Sequence, residues 1–90
     1  MELKNSELAR YMLTKKRDER VFFCTRDNHY KVWIVSVKGN QVITKWGRIE
    51  LNKKLQTKIK DFHDPWDAKY YAIEKIDEKL HTKNYEELEI

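Results

Sequence analysis

The spacing of apolar and polar positions predicts four strands followed by one long helix. Val21, Phe22, Phe23, Cys24 and Thr25 are apolar or strand-favouring and predict a first strand over residues 20–25. Asp27-Asn28 is a turn signal. Residues 30–37 predict a second strand, with Tyr30, Val32 and Ile34 on one face and Trp33, Val35 and Val37 on the other. Both faces are apolar, so this strand is expected to be central and covered on each side. Gly39-Asn40 then lies between two strand-like runs and suits a type II′ hairpin, with glycine at the first central position. Residues 41–46 make a third strand, which Gly47 is expected to end through a backbone angle closed to other residues. From Leu55 to Phe62 the alternation is the clearest in the chain. Leu55, Thr57 and Ile59 point one way and Gln56, Lys58 and Lys60 the other, giving one buried face and one basic face.

Asp64-Pro65-Trp66-Asp67 is a strong helix start, with Asp64 as cap, Pro65 at the first helical position and Asp67 near the positive end of the dipole. Trp66, Tyr70, Ile73, Ile76 and Leu80 recur at helical spacing and are expected to form the stripe that faces the sheet. Tyr85 is expected to fold back onto the core. Residues 5–16 carry a weaker helical pattern, with Leu8, Met12 and Leu13 on one face. The expected architecture is α+β: an antiparallel sheet of about four strands with one long C-terminal helix packed on it. Residues 1–19 read as an N-terminal extension with a short helix, 20–85 as the domain and 86–90 as a frayed tail.

With 90 residues there is room for one domain and a thin core. Charge changes the picture more than composition does. Residues 1–63 hold 15 Lys/Arg against 7 Asp/Glu, whereas residues 64–90 hold 4 against 8. The positive excess therefore sits in the strand-rich part, which points to a polyanionic partner; a lopsided but inert surface is the competing reading. No stretch approaches the roughly 20 apolar residues that span a bilayer. The first ten residues mix charges with leucine, unlike a secretory signal. Cys24 is the single cysteine, so an internal disulfide and a cysteine zinc cluster are excluded, and a reducing cytoplasmic setting is expected.

Candidate chemistry centres on Trp46-Gly47-Arg48. A large aromatic suits stacking on a sugar or base, a glycine frees the backbone, and a guanidinium can fork onto phosphate. The competing role for Trp46 is a core aromatic, and for Arg48 a local ion pair with a carboxylate such as Glu50. Lys45, Lys53, Lys54, Lys58 and Lys60 are candidates for a phosphate-tracking surface, against the ordinary fate of a solvated sheet face. His29, His63 and His81 have no metal-like spacing, and Cys24 in an apolar run reads as packing. No nucleophile–base pair or phosphate-cradling glycine loop is present in the sequence, so neither an enzyme nor a bound cofactor is expected.

From about Arg20 to Tyr85 the chain resembles the WGR domain. The residues that carry the resemblance are Lys31-Val32-Trp33, the signature Trp46-Gly47-Arg48-Ile49, Gln56-Thr57-Lys58 with Phe62, then Ala68, Glu78-Lys79 and Tyr85. The sequence departs from the family after the signature, where Glu50 and Lys53-Lys54-Leu55 stand in place of its usual glycines. The resemblance implies an antiparallel sheet with one helix, and nucleic-acid binding. In poly(ADP-ribose) polymerases the signature tryptophan packs on the terminal nucleotide of a DNA break and the arginine links domains; related bacterial domains include molybdate-metabolism regulators and nearly free-standing forms, which this chain is most like. Ninety residues leave no room for the polymerases' catalytic domain, so their enzymatic activity is not expected of this sequence.

The function expected from the sequence is a non-catalytic DNA-binding module. It would meet backbone and duplex ends through Trp46, Gly47, Arg48, Lys45, Lys53, Lys54, Gln56 and Lys58, with little base preference. The alternative is a protein-interaction module docking an acidic partner or another subunit through the same surface.

Overall fold

The computed structural model describes residues 18–26, 30–49 and 54–88. Among the described residues the strands are Glu19–Cys24 (β1), Lys31–Lys38 (β2), Gln41–Arg48 (β3), Gln56–Asp61 (β4) and Glu86–Leu88 (β5), with one helix, Pro65–His81 (α1), before the last strand. They form a single antiparallel sheet in the order β4-β3-β2-β1-β5. The chain thus runs as a four-strand meander and then returns across the sheet through α1. The N-terminal helix expected over 5–16 lies outside the described residues.

β2 is the middle strand, as its two apolar faces require. Trp33 and Val35 pack with Phe22, Val42, Ala68, Ala72 and Ile76 on the helix side. Val32 and Ile34 pack with Val21 and Ile49 on the other side. The β2–β3 turn matches its expected type: Gly39 has φ +61 while Asn40 does not have positive φ, the pattern of a II′ hairpin. Asn40 then ties this turn to the end of β4, donating from Nδ2 to the Phe62 carbonyl at 2.8 Å and accepting from the Phe62 N–H at 2.8 Å.

α1 starts where the sequence places it. Asp64 is extended and its carboxylate accepts from the Asp67 N–H at 2.9 Å, with Pro65 in the first turn. Asp64→Ala is expected to lower stability by about 1 kcal/mol, read by urea denaturation.

Three expectations are corrected. First, of the expected stripe only Ile76 and Leu80 pack toward the sheet, and α1 buries Ala68, Ala72 and Ile76, one step of four apart. Trp66, Tyr70 and Ile73 stay 66%, 62% and 58% exposed. Small alanines let the helix approach a sheet surface already filled by Phe22 and Trp33, whose rings lie 5.5 Å apart. Larger residues at those positions would hold the helix away. Second, Glu86–Leu88 is not a frayed end but a fifth strand on β1. Arg20 grips Glu87 through two bonds of 2.8 and 2.7 Å, which raise the arginine pKa further. The turn that delivers it uses Asn84 at φ +60, and the Tyr85 N–H donates to the Lys79 carbonyl at 2.8 Å. Third, of the Leu55/Thr57/Ile59 face expected to be buried, Thr57 and Ile59 are exposed, and only Leu55, just before β4, is half-buried against the core. β4 is the edge strand, all six of its residues are exposed, and Ile59 is 57% exposed.

Candidate nucleic-acid interface

Local backbone geometry sets the signature in place. β3 runs through Trp46 and Gly47 to Arg48, two residues beyond the expected end, so the triplet is held in register against Lys31, Val32 and Trp33 of β2. Partners directly opposite in an antiparallel pair share a face, so Trp46, Trp33 and Gln56 lie on the helix side of the sheet. The Ile49 N–H donates to the Tyr30 carbonyl at 2.8 Å, continuing the ladder past the signature.

Gly47 has φ +157, a conformation that side-chain-bearing residues avoid. A Cβ there would meet Leu55 Cδ2 at 3.1 Å, tighter than ordinary contact. Strain and crowding act together, so Gly47→Ala is expected to lower stability by roughly 1–3 kcal/mol and displace Leu55, seen as a fall in denaturation midpoint.

Trp46 is placed between the core and a cleft. Its ring is half-buried against the helix-side core, and it also borders a cleft lined by Lys31, Val32, Gly47, Arg48, Lys79 and Tyr85. Three cations therefore share the cleft with two aromatic side chains and one glycine. Lys79 lies against two rings. Its ammonium lies 5.5 Å from the Trp33 ring centroid and 5.1 Å from that of Tyr85. Burial pushes its pKa below the ordinary lysine value; Glu78 offsets part of this, and Lys83, Lys75 and Lys31 add to the lowering. An incoming anion would relieve that charge crowding. Burial likewise raises the Tyr85 phenol, keeping it neutral.

The other expected site residues are dispersed. Gln56 sits across from Trp46, and Lys58 lies two residues further along the edge strand on the same face, opposite Thr44. Lys60 follows on that face, its ammonium 4.5 Å from the Tyr71 ring centroid. Lys54 is exposed just before β4. Lys53 lies outside the described residues. Lys45 points to the opposite side of the sheet and pairs with the buried Glu19 at 3.1 Å, so the structure separates it from the cleft. Among the cleft's cations, Lys31 and Lys79 were not in the expected site. They stand 48 positions apart and meet only because the end of α1 crosses the start of β2; the one sequence signal was their place in family-like motifs. Among the described residues no group of three or more His, Cys, Asp or Glu side chains is placed to hold a metal ion.

Comparison with known proteins accords with this geometry. The pattern of the WGR domain matches residues 11–90. No curated protein matches the chain. A similar solved structure is the crystal structure of a protein from Bacteroides fragilis, 32% identical with a TM-score of 0.71, the match covering 79% of this chain and 19% of that one. The chain thus spans about a fifth of that protein's length. With the family's pattern over nearly its whole length and the signature at the mouth of its basic cleft, the chain belongs to the WGR domain family.

Proposed function

We propose that the chain is a non-catalytic nucleic-acid-binding module that takes the backbone and end of a DNA duplex at the Trp46-Gly47-Arg48 cleft. The observation that carries this reading is the convergence of Lys31, Arg48 and Lys79 around the half-exposed face of Trp46. Cations on either side of an aromatic wall suit a phosphate next to a terminal sugar or base, and none of these contacts reads sequence. WGR domains are known as nucleic-acid-binding modules in proteins like the poly(ADP-ribose) polymerases, which supports the same reading.

The alternative is docking of an acidic protein surface at this cleft. It is favoured by the length of the Bacteroides fragilis protein, in which the similar domain is one part of a larger chain. Fluorescence anisotropy with a labelled duplex across a salt series separates the two. Nucleic-acid binding predicts that log affinity falls linearly with log salt, with a slope near −0.9 per phosphate neutralised. No binding at low salt, together with a protein that co-purifies through moderate salt, would establish the alternative.

A further inference from the structure

The outward face of α1 carries an apolar stripe that the fold does not use. Trp66, Tyr70 and Ile73 follow at steps of four and three, the Trp66 and Tyr70 rings are 6.5 Å apart, and all three are mostly exposed. The stripe adjoins a recess between helix and sheet lined by Val35, Val37, Ala72 and Ile76 together with the charged Asp18, Arg20 and Lys69. Contiguous exposed apolar surface of this kind marks an interaction site. The spacing is that of a two-helix seam, with Trp66 and Ile73 at the d positions and Tyr70 at the a position between them. Of the residues packed toward the sheet, Ala68, Tyr71 and Ala72 fall at positions f, b and c, whereas Ile76 falls at g and Leu80 at the following d, so the exposed seam is confined to Trp66, Tyr70 and Ile73.

The flanking charges choose the occupant. Exposed Lys69 takes position g on one flank, and exposed Glu74 takes position e on the other. In a parallel pair, a g residue meets the e residue five positions later on the partner helix, so Lys69 and Glu74 match twice across the two-fold axis. An antiparallel pair would instead set like flanks together, with Asp67 and Glu74 against Asp67 and Glu74. From this complementarity we infer that α1 docks on α1 of a second copy of this chain, in parallel, through Trp66, Tyr70 and Ile73.

Lys79 and the signature lie on the sheet side of α1, so the dimer leaves the cleft open. The seam spans little more than one heptad, because charged Asp77 occupies the next a position. It is smaller than a standard interface of roughly 1,200 Å², so association is weak and concentration-dependent.

The test is sedimentation equilibrium of the whole chain over a wide concentration range, alone and with charge-reversed variants. The wild type is expected to pass from monomer to dimer as concentration rises. Lys69→Glu and Glu74→Lys, both at exposed positions, should each weaken the dimer about tenfold, and the double exchange should restore it. Circular dichroism of each variant checks that the domain remains folded. A wild type that stays monomeric throughout, a dimer indifferent to either single reversal, or a double exchange that fails to recover would each overturn the inference. The readout needs no nucleic acid, so its outcome is independent of the function proposed for the cleft.

Discussion

Phe22→Ala is expected to remove a large part of this domain's stability, about 3–5 kcal/mol. Phe22 is 0% exposed on β1, packs its ring 5.5 Å from Trp33, and lies in the layer shared by the sheet and the alanine face of α1. Deleting the ring loses its transfer free energy and leaves a cavity that two strands and a helix cannot easily close. A small domain has a total stability of only about 5–15 kcal/mol, so the loss brings the unfolded state close to measurable population. Urea denaturation should show a midpoint lowered by more than about 1 M with an unchanged slope. A change well below about 1 kcal/mol would mean that helix and sheet do not share this core.

The second large effect concerns binding. Arg48→Gln combined with Lys79→Gln is expected to weaken duplex affinity roughly 10–100-fold at low salt and make the salt slope shallower by about two. Arg48 lies at the exposed end of β3 and Lys79 on α1, and both line the Trp46 cleft. Neutralising Lys79 relieves a crowded cation but also loses its contacts with the Trp33 and Tyr85 rings, so circular dichroism of the double variant accompanies the titration. Lys45→Gln provides the contrast. Lys45 is on the far face beside Glu19, so its loss should lower stability by removing one partner of a buried carboxylate while leaving the salt slope intact. Equal slope changes for Lys45→Gln and the double variant would mean that a diffuse positive field, not the cleft, binds the duplex.

The features legible in the sequence are those written in local patterns. β2 announces its central place by apolar residues on both faces, Gly39-Asn40 its turn, and Asp64-Pro65 the helix start. The helix register was obscured because size misleads: Trp66, Tyr70 and Ile73 dominate any count of hydrophobicity, yet close approach to a filled sheet demands Ala68 and Ala72. The relevant signal was the step of four from Ala68 through Ala72 to Ile76. β5 was hidden for a different reason. Glu86-Glu87-Leu88 has no strand-like pattern, and it is held by Arg20, 67 positions away, and by an asparagine turn. The cleft was half legible. Trp46-Gly47-Arg48 marks its rim in three consecutive letters, whereas Lys31 and Lys79 join it only through long-range packing. Alternation did correctly separate Lys58 and Lys60 as one face, and the cross-strand register places Lys45 on the other.

The most direct measurement compares two labelled duplexes of equal length, one with open blunt ends and one closed by hairpin loops, titrated with the wild type and Trp46→Ala. End recognition at the cleft predicts tighter binding to the open duplex. Trp46→Ala should abolish that preference, with a loss of about 1–3 kcal/mol, the contribution of one stacked base. Circular dichroism of the variant is needed alongside, because Trp46 also touches the core. Equal affinity for both duplexes, unchanged in a folded Trp46→Ala, would contradict the account and reduce the signature to a structural element.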